Sequence, residues 1–262
     1  MTQRSATRLE PYTADVRAEA LRAFRADHPG LRWPPVLVVI AALDEEGGIG
    51  AVVSGIPARA CGLDVGTLVV DDGSRDRTGE VAREQGAHVV RLERNLGQGV
   101  AFRVGYELAR EYGARYIVTL DGDGQWDPAE LPGVLEPLAS GEADFVLGSR
   151  VLGAAETDDR MRAAGVRVFA ALVRALTGVR VTDTSTGYRA LRAEVTETVR
   201  QEQVQYQASE LLIGAIFQGY RVVERPIVQR KRLAGESKKG PNPLYGLRYA
   251  RVIVRTWWRE RR

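Results

Sequence analysis

Asp121 and Asp123, two carboxylates separated by a single glycine with the side-chain amide of Gln125 two residues on, are the most chemically pointed feature of this 262-residue chain. Carboxylates this close repel each other unless a cation lies between them. Hard oxygen donors at this spacing suit Mg2+ or Mn2+, which bind through one or two carboxylates and complete their coordination with substrate phosphates and water. Helix capping would use one carboxylate at a time, and Asp76 and Asp127 are expected to do only that. Upstream, Asp71-Asp72-Gly73-Ser74 offers another acidic turn. A carboxylate at such a place in a nucleotide-binding α/β fold accepts from a ribose hydroxyl or a base N–H. Together the two turns describe a nucleotide whose diphosphate is held by a metal, an arrangement suited to expelling a nucleoside diphosphate as leaving group.

Both turns need strands behind them. Short β-rich runs near 36–42, 66–71, 87–92, 115–120 and 143–148 alternate with helical patterns near 46–58, 76–85, 98–112 and 128–139. That alternation predicts a mostly parallel sheet flanked by helices in an α/β domain. In such a sheet ligands sit outside the carboxyl ends of the strands. Four of these ends are polar: Asp44-Glu45-Glu46, Asp71-Asp72-Gly73-Ser74, Asn95-Leu96-Gly97 and Asp121-Gly122-Asp123-Gly124-Gln125. Beyond residue 150 the rhythm changes, with helices expected near 160–176, 193–203 and 208–218, a strand near 220–229 and a last helix near 243–260. An N-terminal amphipathic helix is expected over 12–27, with Val16, Ala20, Leu21 and Phe24 at helical spacing. Arg230 to Pro243, basic and containing glycine, is the expected mobile loop.

Composition narrows the classes further. With 44% hydrophobic and 27% charged residues, disorder and fibrous repeats are excluded. Cys61 is the only cysteine, so no internal disulfide forms, and the N-terminus lacks a secretory pattern, which points to a reducing cytoplasm. The longest apolar run, Val36 to Leu43, is far short of the roughly 20 residues that cross a bilayer. The formal charge of +3 hides 13 Lys/Arg against 3 Asp/Glu in residues 221–262. Nucleic acid is not expected as a partner, because no recognised module accompanies that charge. His28, His88 and Cys61 form no metal or triad pattern.

Taken in order, Asp44-Glu45-Glu46, Asp71-Asp72-Gly73-Ser74, Asn95-Leu96-Gly97, Asp121 to Gln125, Gly148-Ser149-Arg150 and Thr186-Gly187-Tyr188-Arg189 resemble family-two glycosyltransferases of the GT-A fold. The likeness is strongest to the dolichyl- or polyprenyl-phosphate mannosyl/glucosyltransferase branch and spans residues 36–240. It implies a single-domain, Rossmann-like GT-A sheet with an N-terminal helical extension (1–33), a transferase domain (34–240) and a basic C-terminal helix (241–262). The domain would divide into a nucleotide-sugar half (34–150) and an acceptor half (151–240). It implies an inverting, metal-dependent transfer from a GDP- or UDP-sugar, with Asp121, Asp123 and Gln125 at the family's metal positions. Asp123 would count among the catalytic residues. Ala41, Leu43, Glu45, Asp72, Asp121, Gly122 and Arg150 would hold the nucleotide-sugar, and Arg232, Ser237 and Lys238 acceptor or donor phosphate. The chain departs from the family's Pro-x-Tyr-Asn-Glu with Ala41-Ala42-Leu43-Asp44-Glu45, which leaves the donor nucleotide open.

The acceptor is likewise open between a polyprenyl phosphate and a small-molecule, natural-product or carrier-bound group. A phosphate acceptor is already an anion, whereas a hydroxyl or amine needs a base. Glu210, which resembles the family's acidic position there, is the first candidate and Asp183 the second. The terminal helix carries Arg248, Arg251, Arg255 and Arg259 on one face among aromatic and aliphatic residues, a pattern shared by a lipid-surface helix and by a helix packed on the body or in a homodimer. Rivals of other classes are a haloacid-dehalogenase-like phosphatase using Asp121, an NAD-binding oxidoreductase around Gly97-Gln98-Gly99, and a non-catalytic nucleotide-sugar-binding subunit.

Overall fold

Val36 to Ile40 are all fully buried, the mark of a strand covered by helices on both faces. Val36, Val38, Ile40 and Ala42 pack into one apolar layer with Val69 and Leu120, while Leu37 and Val39 face the other with Leu68, Phe102 and Leu108. The computed structural model describes residues 6–156, 160–233 and 243–262. Ser237 and Lys238, and most of the segment expected to be a mobile loop, lie outside the described residues.

The first half runs α1 (Ala6–Asp27), β1 (Val36–Ala42), α2 (Glu46–Ser54), a two-residue β2 (Arg59–Ala60), β3 (Leu63–Asp71), α3 (Thr78–Glu84), β4 (His88–Arg91), α4 (Gln98–Glu111) and β5 (Tyr116–Asp121). A 3-10 turn, Pro128–Glu130, leads into α5 (Leu131–Ala139) and β6 (Phe145–Ala155). Then follow α6 (Arg160–Thr177), β7 (Arg189–Arg192), α7 (Val195–Thr198), α8 (Gln207–Phe217), β8 (Val222–Gln229) and α9 (Pro243–Glu260). The sheet is ordered β4-β3-β1-β5-β7-β6-β8, with β2 antiparallel on the start of β3. β1 pairs in parallel with both β3 and β5. The chain moves outward from β1 to β3 and β4, then returns to lay β5 on the other side of β1. This reversal opens a crevice between the carboxyl ends of β1 and β5, where a ligand can enter.

The expected sheet is present, and its second half is less parallel than the alternation suggested. β7 runs antiparallel between β5 and β6, while β8 pairs parallel with β6. Four residues and two residues carry no readable period, so β7 and β2 were not expected. The helix expected over 193–203 is only Val195–Thr198. The stretch after it is held in an irregular path because the Glu210 carboxylate accepts the N–H groups of Glu202 (2.9 Å) and Gln203 (2.8 Å). Those tertiary bonds override helix propensity.

The N-terminal helix is longer than expected, and the four apolar positions, Val16, Ala20, Leu21 and Phe24, are buried. Its polar side is tied to α4 by Arg25 with Glu111 (2.7 Å) and Glu107 (3.1 Å). No described helix is long and apolar enough to cross a membrane.

Candidate active site

A cleft of about 680 Å3 opens at the crevice between β1 and β5. Its walls come from the turns after β1, β3, β4 and β5, from β6 and β7, and from the starts of α8 and α9.

The turn after β1 separates structural from site-facing acids. Asp44, with a left-handed φ of 48°, donates its N–H to Ser74 Oγ (3.0 Å) and accepts the Arg75 N–H (2.7 Å). Glu46 accepts the Arg77 N–H (2.9 Å) and donates its own to Asp76 (3.1 Å). These bonds stitch the turns after β1 and β3 together and leave Glu45 on the cleft wall beside Ala41 and Leu43. The β3 pair divides in the same way. Asp71 is fully buried and taken by Arg91 (2.9 Å) and the Ser74 N–H (2.8 Å). Asp72 lines the cleft and accepts the N–H groups of Leu96 (2.8 Å) and Gly97 (2.9 Å), fixing the turn before α4. Burial pushes its carboxyl up to about 6 despite those two bonds. Asp76 and Asp127 are the caps expected, accepting the N–H groups of Thr78 and Ala129 (both 3.0 Å).

Asp121, Gly122, Asp123 and Gln125 all line the cleft. Asp121 is aimed by two donors, Gln98 Nε2 at 2.9 Å and the Trp126 indole N–H at 3.0 Å. Gly187 is required beside it, since a Cβ there would stand 2.0 Å from Asp121 Oδ2. Asp123 accepts the Gln125 N–H (3.0 Å) and ion-pairs with Arg232 (2.8 Å), whose other nitrogen reaches Glu45 (3.4 Å). The donor set suits a hard divalent ion: two carboxylates and an amide facing one space, with Asp123 here neutralised by a side-chain cation. Among the described residues no three His, Cys, Asp or Glu side chains gather as a metal cluster. A divalent ion would therefore draw its remaining ligands from the Gln125 amide, substrate phosphate and water.

The two expected bases are not brought to the cleft. Glu210 is fully buried, accepts the Glu202 and Gln203 N–H groups and ion-pairs with Arg259 at 2.8 Å. Asp183 is fully buried and grips Arg150 through two bonds of 2.6 and 3.1 Å. Neither is among the lining residues. Glu210 instead binds the backbone at 202 and 203, and Asp183 binds Arg150 behind the cleft wall. Arg150 lines the cleft as expected, donates to Gln229 (3.0 Å) and Ser185 (3.1 Å), and lies over the Trp126 ring.

Sequence reasoning missed Arg189, Tyr206, Gln207, Arg248 and Tyr249 as lining residues. Arg189 closes the quoted Thr186–Arg189 run and was within reach. The others were not: α9 arrives by tertiary docking, with the Tyr249 hydroxyl donating to Thr184 O (2.9 Å) and its ring against Phe169.

Comparison with known proteins gives concordant matches. The family described as Glycosyl transferase family 2 matches residues 37–200. A dolichyl-phosphate hexose transferase of Haloferax volcanii is 38% identical over 204 residues, covering 78% of this chain and 86% of the relative. A polyprenol monophosphomannose synthase of Mycolicibacterium smegmatis is 32% identical over 234 residues, covering 84% and 86% respectively. In fold, a solved structure of glucosyl-3-phosphoglycerate synthase from Mycobacterium tuberculosis superposes with a TM-score of 0.65 at 23% identity, over 92% of this chain and 82% of that one. That structure is a complex with Mn2+, UDP-glucose and phosphoglyceric acid. The mixed sheet flanked by helices is thus the GT-A arrangement.

Proposed function

The chain belongs to glycosyltransferase family 2, and on that premise we propose that it moves a hexose, with inversion, from a GDP- or UDP-sugar to a polyprenyl phosphate. The observation that carries the acceptor assignment is the withdrawal of Glu210 and Asp183 into buried ion pairs. Of the carboxylates left on the cleft, Asp121 and Asp123 belong to the metal set, Glu45 meets Arg232, and Asp72 holds the turn before α4. An acceptor that is already anionic needs no proton removed, so the site works without a base. The names of the Haloferax and Mycolicibacterium relatives support the same acceptor class.

In this reading Asp72 and Glu45 orient the nucleoside, and Asp121, Asp123 and Gln125 hold Mg2+ or Mn2+. The ion would draw negative charge from the diphosphate as it leaves. Arg232 then serves donor or acceptor phosphate, and Arg150 forms the wall behind it. Ser237 and Lys238, on the same basic segment as Arg232, are assigned to phosphate as well. Mn2+ and UDP-glucose in the structural neighbour support this donor chemistry. The outer face of α9, where Leu247, Val254 and Trp258 are exposed among Arg248, Arg251 and Arg255, would rest on anionic lipid and bring the cleft to the surface that holds a polyprenyl phosphate.

The test is a radiolabel transfer panel of GDP- and UDP-hexoses against a short polyprenyl phosphate, the corresponding polyprenol and phosphoglycerate. Label appearing in the polyprenyl phosphate alone supports the reading. Transfer to polyprenol at equal rate would overturn it, because that reaction needs a base.

A further inference from the structure

Among the described residues Arg189 is the largest side chain buried to less than 2% exposure. Its Nε and Nη1 are buried without any hydrogen-bond acceptor, and it forms no ion pair with a described carboxylate. Its main companion is the face of Phe102, 5.7 Å from the guanidinium carbon. The hydroxyl of Tyr106, fully buried close by, is orphaned as well, and the Arg189 charge opposes the rise that burial imposes on its pKa. A guanidinium held in this way is strongly disfavoured unless something negative joins it.

Position indicates what joins it. Arg189 sits on β7 opposite Thr119 of β5, two residues before Asp121, and it lines the cleft. Gln207 and Ala208, the first residues of the eleven-residue α8, line the same cleft. The side chain of its N-cap residue, Tyr206, makes no capping hydrogen bond to that helix. The first-turn N–H groups of a helix have no intrahelical partners and favour anions. Arg150 and Arg259, by contrast, are each neutralised by a buried carboxylate. Arg189 is thus a charge built into the site that no described carboxylate pairs with.

We propose that Arg189, with the first turn of α8, forms a subsite for a phosphate oxyanion. The subsite rests in part on the transferase reading, since two phosphate groups would enter this cleft: the acceptor's monoester and the donor's diphosphate. Its oxyanion would meet the guanidinium from the cleft that Arg189 lines, since Nε and Nη1 are themselves closed to solvent and have no acceptor. Its arrival would also supply the charge that no described carboxylate provides.

The test uses the full chain and the variants Arg189→Met and Arg189→Lys, with thermal unfolding followed in increasing inorganic phosphate. Wild type should melt higher as phosphate saturates the site. Arg189→Met, relieved of an unpaired buried charge, should melt at or above wild type without phosphate and show no phosphate-dependent rise, with Arg189→Lys intermediate. Steady-state rates then identify the source. A KM raised ~10–100-fold for a short polyprenyl phosphate alone assigns the subsite to the acceptor, and the same rise for the nucleotide-sugar alone assigns it to the donor. An Arg189→Met protein that melts lower yet keeps the full phosphate response would overturn the proposal, as would a wild type indifferent to phosphate. Should wild type transfer nothing to polyprenyl phosphate while the Arg189-dependent phosphate response persists, the acceptor reading fails and the subsite stands.

Discussion

Replacing Glu210 with glutamine separates two readings of the acceptor by comparing stability with rate. The carboxylate is fully buried and takes two backbone N–H groups and Arg259. Removing one member of a buried ion pair outright costs ~3–5 kcal/mol. Here the amide oxygen can still accept an N–H, and Arg259 keeps Glu260 at 2.7 Å and Glu202 at 3.3 Å. The expected loss is therefore about 2 kcal/mol, which lowers Tm by roughly 4–8 °C in a chain of this size. Turnover, measured well below the melting range with saturating polyprenyl phosphate, should stay within about threefold of wild type. A general base would instead contribute ~100- to 10,000-fold. An unchanged Tm together with a hundredfold fall in kcat would refute the reasoning, placing Glu210 at the reacting centre.

Other expectations follow from the same geometry. Because burial raises the Asp72 carboxyl from 3.8 to about 6, the unfolded chain ionises first, so this residue's contribution makes stability fall as pH rises from about 4 to 6. Urea unfolding across that range should show the slope in wild type and its loss in Asp72→Asn; identical profiles would contradict it. For the outer face of α9, the double variant Arg251→Glu/Arg255→Glu should weaken binding to anionic vesicles by more than about 30-fold at low salt, the figure for the loss of two basic charges alone. Trp258, 53% exposed, should shift its fluorescence to the blue on such vesicles in wild type. Equal sedimentation of wild type and variant with anionic and neutral vesicles would remove the lipid reading, and a change of oligomeric state on charge reversal would favour the dimer.

The acidic turns were legible because they are local. A run of four to six residues after an apolar strand carries both the strand's end and the donor set, so Glu45, Asp72, Asp121, Asp123 and Gln125 could be placed at one edge before the structure. The same turns show the limit of that reading. Asp44, Glu45 and Glu46 are adjacent and chemically alike, and only the cross-bonds to Ser74, Arg75 and Arg77 decide that Glu45 faces the cleft. The burial of Glu210 was hidden for a related reason. An acid in the first turn of a helix looks the same whether it faces substrate or an arginine 49 positions later. β7 was invisible because four residues hold no period, and with it the burial of Arg189. The cleft wall at 202–206 depends on that distant carboxylate rather than on its own sequence.

The central claim is that a divalent cation on Asp121, Asp123 and Gln125 joins the nucleoside diphosphate to the edge of the sheet. Calorimetric titration of GDP and UDP into wild type and Asp123→Ala, each with and without Mn2+, tests it most directly. The account predicts that Mn2+ tightens nucleotide binding to wild type at least tenfold and has no effect on Asp123→Ala, whose fold is intact by circular dichroism. Tight binding indifferent to Mn2+ in wild type, or an Asp123→Ala protein with the full Mn2+ response, would contradict it.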